Sequence, residues 1–269
     1  MHKFINKKLP YILIFIGLIY SILNSIVDTN KFDEYRISST GKELHSIIRS
    51  DIKQYWDDAH VFKLDIENNK DFFKSGGESR SIYLYPKFIA SYFILINQDI
   101  KDNNGRFILD NYKFGIPIIQ SLIFYSIVIL LFKKLKKIFE TRISIIIIGF
   151  LSLEPTIMQY HSSYWTESLY FSFLLIIIYF LLDLKKGMFH NFLLGFVIGL
   201  SILQRNVSIY LILPTIFYMI FVFRKNFLKP IISCFLGYLI VVFFIGYTNF
   251  VRAGVFYIIP WDQKDAPYT

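Results

Sequence analysis

The chain has 269 residues, 54% of them hydrophobic and 19% aromatic, and a formal charge of +9. That is too apolar for an ordinary globular domain, and the Lys and Arg are scattered between apolar runs, which argues against a nucleic-acid-binding surface. The acids are segregated: residues 28–113 hold 14 of the 20 Asp and Glu, while 16 Lys and Arg face 6 acids elsewhere. A polytopic membrane protein keeps its cations on short cytoplasmic loops, so the pattern predicts an all-α, transmembrane helical bundle with one large extracytoplasmic loop.

Spanning the hydrocarbon takes about 20 apolar residues. The first candidate runs from Tyr11 to Val27 behind Lys3, Lys7 and Lys8. No small-residue cleavage site follows it, so it reads as an uncleaved anchor with a cytoplasmic N-terminus. Residues 28–113 then form the loop, inserted between spans 1 and 2 of a single membrane domain covering 1–269. Within the loop, Leu44 to Phe62 repeats apolar residues every three and four positions, the mark of a helix with one greasy side. Such a helix suits the membrane surface, with Tyr55 and Trp56 in the headgroup belt. Ile89 to Ile96, after Pro86, is apolar but too short to span, and reads as a second interfacial piece.

Six further spans follow: Phe114–Phe132, Ile143–Tyr160, Trp165–Leu182, Phe192–Gln204, Val207–Phe223 and Ile231–Tyr247. Threading seven spans from a cytoplasmic start puts Lys133, Lys134, Lys136, Lys137, Arg142, Lys185, Lys186, Arg224, Lys225 and Lys229 all inside. Phe192 to Phe223 is read as a tight hairpin turning at Gln204-Arg205-Asn206. One long helix from Leu193 to Leu213 is the alternative, and it would invert all that follows. The single cysteine, Cys234, lies in an apolar run and reads as a core or lipid-facing side chain. The excess of Ile, Phe, Lys and Asn suits an AT-rich bacterial genome.

Three constellations carry chemistry. Asp51, Tyr55 and Asp58 stand at i, i+4 and i+7, on one side of a helix near the lipid boundary. A carboxylate in a partly desolvated cleft is a proton acceptor for a hydroxyl or amine; a solvated acidic face is the alternative. Glu154, before Pro155, and Glu167 stand at the outer ends of adjacent spans. An ionisable group at membrane depth costs roughly 2.5–3.5 kcal/mol to insert and usually faces a cavity, although Glu167 also suits a helix cap. Arg205 ends an apolar helix on the face opposite the cationic clusters, and Arg252 stands just past the last span. A guanidinium there suits a phosphate at headgroup level, against the plainer reading of snorkelling. Gly195 and Gly199 form a small-xxx-small pair that suits helix packing.

Taken in order, these pieces resemble the C-type (GT-C) superfamily of membrane glycosyltransferases, with the protein O-mannosyltransferases and lipid A aminoarabinose transferases among its members. The likeness rests on Asp51, Tyr55 and Ala59, on Arg80 before Tyr85-Pro86, on Pro155 and Thr166-Glu167-Ser168-Leu169, and on Gly195 to Arg205. It implies transfer of a sugar from a polyprenyl-phosphate donor to a lipid, glycan or protein acceptor on the outer face, with inversion at the anomeric carbon. Asp51, Glu154 and Glu167 would be catalytic, Arg205, Arg252 and Arg80 would bind the donor phosphate, and Tyr55, Asp58 and Tyr85 would position substrate. Members usually carry more spans than seven, so the resemblance implies a truncated or minimal relative. The competing reading is a non-catalytic membrane protein, such as a small transporter or an assembly subunit, or an inactive truncated relative. Transport would spread polar groups through mid-span, whereas here they are read at the outer ends. No cofactor is expected, no compact His/Cys/Asp set has metal-ligand spacing, and a divalent ion bridging Asp51 and a lipid phosphate is the one arrangement left open. The expected setting is the bacterial inner membrane, with the 28–113 loop periplasmic or extracellular.

Overall fold

The computed structural model describes residues 2–38, 50–70, 84–101, 114–184, 187–254 and 256–258, with the backbone alone for 2–7, 27–38, 50–54 and 252–253. The described residues hold ten α-helices and no strand: α1 His2–Ser38, α2 Ser50–Glu67, α3 Leu84–Leu95, α4 Gly115–Leu135, α5 Thr141–Leu153, α6 Pro155–Ser162, α7 Thr166–Leu181, α8 Met188–Ile202, α9 Ile212–Phe223 and α10 Leu228–Ala253. A 3-10 segment, Asn206–Leu211, leads into α9. Within the described residues the expected spans are largely helical, because hydrocarbon leaves backbone polar groups no partner but their own chain; of the expected run Leu44 to Phe62, residues 44–49 lie outside the described residues.

Among the described residues four helical stretches are long and apolar enough to cross a membrane: Lys8–Ile26, Gly115–Leu135, Asn206–Asn226 and Leu228–Val251. The pair α5 and α6 makes a fifth if taken as one span, bent by 47°. The bend falls at Glu154-Pro155, where the proline has no N–H to continue the ladder and opens the next helix instead. The other two expected spans, α7 and α8, are shorter, at 16 and 15 residues.

The chain divides into two compact units, residues 1–52 with 109–179 and residues 53–108 with 180–269. In the first, α1 packs on α4, α5 and α6. The approach of α1 is close at Gly17, where a Cβ would collide with the Ser152 carbonyl oxygen and lie 2.8 Å from the Tyr125 hydroxyl. Tyr125 anchors polar contacts in this bundle interior. The Tyr125 hydroxyl donates to the Ser152 carbonyl at 3.2 Å, and Ser21 Oγ lies 3.2 Å from it. Tyr11 meets Phe132 edge-on at 5.6 Å, so Lys8 lies at the same end of the bundle as the α4–α5 turn.

In the second unit α8 and α10 run parallel. Ser233 Oγ donates to the Met188 carbonyl at 2.7 Å. Further along, a Cβ on Gly195 would collide with the Cys234 carbonyl, and one on Gly237 with that of Phe192. The small-residue pair therefore packs helices, as its spacing suggests. Since α8 and α10 start at one end, residues 203–227 must return between them, which excludes a single helix from Leu193 to Leu213. The reversal follows Gln204, with Arg205 extended at φ −149°, ψ 127°.

Candidate functional site

The second unit gathers several expected site residues at one end. Parallel packing puts Arg205, past the end of α8, and the backbone of Arg252, in the last turn of α10, at the end opposite Arg224, Lys225 and Lys229. The start of α3 joins them, since the Leu84 amide donates to the Leu203 carbonyl at 2.8 Å, two residues before Arg205. Tyr85, next in α3, is fully buried and meets Tyr55 of α2 edge-on at 5.6 Å. Asp58, one turn after Tyr55, is buried at 6% exposure, and Ala59 is fully buried.

Packing of α2 on α3 corrects one expectation. Trp56 is 4% exposed and lies edge-on to Phe93 at 5.5 Å. The greasy side of α2 therefore covers α3, and Trp56 is not a headgroup anchor. Helix α3 also begins at Leu84, with Pro86 inside its first turn rather than ahead of it.

Ion pairs organise the acidic residues of this region. The buried Lys63 ammonium bonds to Glu67 at 2.6 Å and Asp99 at 3.0 Å. Burial works against that charge, but the two carboxylates outweigh it and hold Lys63 above its ordinary value. Asp57 pairs with Lys101 and Asp65 with Lys70, each at 2.6 Å. Burial, then the nearby Lys101 and Lys63, push His60 below its usual value.

In the first unit, Glu154 stands at the break between α5 and α6 rather than at the outer end of a continuous span. Its Oε2 accepts from the Ile157 amide at 2.6 Å and so caps α6. Glu167 lies in the first turn of α7 and accepts from Thr166 Oγ1 at 3.1 Å. Beside it is a pair that sequence reasoning missed. His161 and Ser168 are fully buried, with Nδ1 and Oγ 2.6 Å apart, and the imidazole stacks on Phe124 at 3.9 Å. His161 Nε2 has no hydrogen-bond partner among the described residues. A His directly after the expected span ending at Tyr160 was the available signal.

Of the other expected residues, Asp51 is placed by the α2 backbone, four positions before Tyr55, and its side chain lies outside the described residues, as does that of Arg252. Arg80 lies wholly outside them. Among the described residues no group of three or more His, Cys, Asp or Glu is placed to hold a metal ion.

Residues 105–247 match the dolichyl-phosphate-mannose-protein mannosyltransferase family, more than half of the chain. The chain belongs to that family. It is an integral membrane protein of the C-type glycosyltransferase class. The family match takes in Glu154, Glu167 and Arg205; Asp51, Tyr55, Asp58, Arg80, Tyr85 and Arg252 lie beyond it. Among curated proteins and solved structures no match was found.

Proposed function

We propose that this family member transfers a sugar from a polyprenyl-phosphate donor to an acceptor hydroxyl or amine on the outer face of the membrane. The observation that carries the reading is the common end of the second unit. Tyr55, Asp58, Tyr85 and Arg205 lie there with the Arg252 backbone, away from Arg224, Lys225 and Lys229. Cations mark the cytoplasmic side, so this end is assigned to the outside.

Asp51 accepts the acceptor's proton as its oxygen or nitrogen attacks, and the donor's anomeric carbon inverts. The departing lipid phosphate gains negative charge as the glycosidic bond breaks. Arg205 and Arg252, with Arg80, stabilise it through charge-assisted hydrogen bonds aimed at the group where charge develops. Tyr55, Asp58 and Tyr85 form the packed wall that positions substrate. Glu154 and Glu167 are assigned the orientation of sugar or acceptor hydroxyls.

Transfer of label from a polyprenyl-phosphate sugar in membranes tests the assignment. General-base help is worth about 10²–10⁴-fold, so Asp51→Asn is expected to lose at least two orders of magnitude in rate while still inserting normally. Full turnover by Asp51→Asn rules out its role as base.

A further inference from the structure

The turn between α4 and α5 carries five cations within ten residues, Lys133, Lys134, Lys136, Lys137 and Arg142, against the one anion Glu140. Lys133, Lys136, Lys137 and Arg142 are exposed. Among the described residues, none of these four is paired with a carboxylate. Between them Ile138 and Phe139 are 48% and 41% exposed, an apolar tip with cations on either side. The Lys136 ammonium lies 5.3 Å over the Phe132 ring and that of Lys134 lies 5.8 Å over Tyr179 of α7. Exposed Lys8 stands at the same end of the bundle, through the contact of Tyr11 with Phe132.

Helix electrostatics account for only part of this. Lys133 and Lys134, in the last turn of α4, offset the negative end of its dipole. Arg142 does the reverse, because it lies in the first turn of α5, the end that repels a cation. That turn holds no acidic residue, and the preceding Glu140 gives no side-chain cap. An anion from outside the chain would relieve the excess, and the apolar tip matches the boundary between headgroup and acyl chain.

We propose that the α4–α5 turn is a binding site for an anionic phospholipid, its headgroup phosphate held among Lys133, Lys136, Lys137 and Arg142 and its acyl chains against Ile138 and Phe139. The proposal is independent of the catalytic reading.

The experiment is native mass spectrometry of the full detergent-solubilised chain, titrated in separate arms with phosphatidylglycerol, phosphatidylcholine and inorganic phosphate. Phosphatidylglycerol is expected to be retained at least tenfold more tightly than phosphatidylcholine, and inorganic phosphate not to displace it at equal concentration. The combined variant Lys133→Ser, Lys136→Ser, Lys137→Ser and Arg142→Ser is expected to erase the preference. The variant Arg224→Ser with Lys225→Ser, at another basic turn, is expected to leave it intact. The unaltered chain supplies a reading that no folding defect can disturb: raising ionic strength must strip the phosphatidylglycerol, because screening weakens an exposed charge contact. Equal retention of both lipids, displacement by free phosphate, retention that ignores salt, or unchanged preference in the fourfold variant would overturn the site.

Discussion

Arg205 stands apart from the basic turn in its half of the chain. It follows a helix that begins at Met188, and lies at the opposite end from Arg224, Lys225 and Lys229. If its fork of donors grips the leaving phosphate, Arg205→Lys keeps the charge but loses the bidentate geometry. Removing one such donor typically costs about 10²-fold or more in rate. Arg205→Ala is therefore expected to lower transfer by at least that factor, with Arg205→Lys between it and the parent; equal rates for all three would refute phosphate binding. Glu154 makes a different claim. Its carboxylate caps α6 through the Ile157 amide, so Glu154→Ala should cost about 1 kcal/mol of stability, read as a lowered Tm in detergent. Glu154→Asp or Glu154→Gln, which keep an acceptor oxygen, should lose less. The sequence showed Glu154 and Arg205 because each is a charge set against an apolar background. His161 and Ser168 stayed hidden, since a lone His in a short polar turn and a Ser opening an apolar helix carry no mark of each other until folding puts them 2.6 Å apart.

At the scale of elements, the seam between α8 and α10 is the tightest prediction. Backbone meets backbone at Gly195 and Gly237, while a Cβ on Gly199 would lie 2.7 Å from Val241 Cβ. A large side chain has no pocket to enter. Gly195→Leu should therefore separate the helices, at a cost of roughly 2–3 kcal/mol or more, and appear as aggregation or protease sensitivity. Leu200→Ala, on the same helix at a half-exposed position, serves as the mild comparison. Glycine spacing made this contact legible, as did the run lengths that marked most spans. The greasy side of α2 was legible as well, but not what it covers. Periodicity reports that a face is apolar and is silent on whether lipid or protein receives it, so Trp56 was assigned to the headgroups although Phe93 covers it. The same packing makes a pH prediction. His60 is held below its ordinary value, so as pH falls below about 6.5 the unfolded form takes up a proton that the folded form resists. Stability linked to His60 is thus complete above that pH and is lost as pH drops through the folded value. Protection from hydrogen exchange in residues 53–70, relative to the intrinsic rate at each pH, should fall in acid, and His60→Gln should remove that component; an unchanged acid response would exclude His60 as its source.

For the molecule as a whole, sidedness governs everything else. Val207 and Asn226 are exposed and bound the return segment between α8 and α10, and the native Cys234 is fully buried. Val207→Cys should react with an impermeant thiol reagent from outside intact cells, and Asn226→Cys only after the membrane is opened. Labelling of both from one side would contradict the reading. The helical character of the apolar runs was readable from their lengths and from where the charges fall, because lipid punishes misplaced charge so severely; that α7 and α8 are shorter than a full span was not. The bend at Glu154-Pro155 was less so, since the run from Ile143 to Tyr160 is long and apolar enough for a straight helix. The glycine seam also fixes a length. One residue inserted between Met188 and Gly195 would turn the rest of α8 by about 100° and advance it by about 1.5 Å if the Met188 end stayed in place, bringing Leu194 to the position where Gly195 meets the Cys234 carbonyl. The helix would have to abandon either the contact or the guanidinium's place. Distances along α8 are consequently under double constraint.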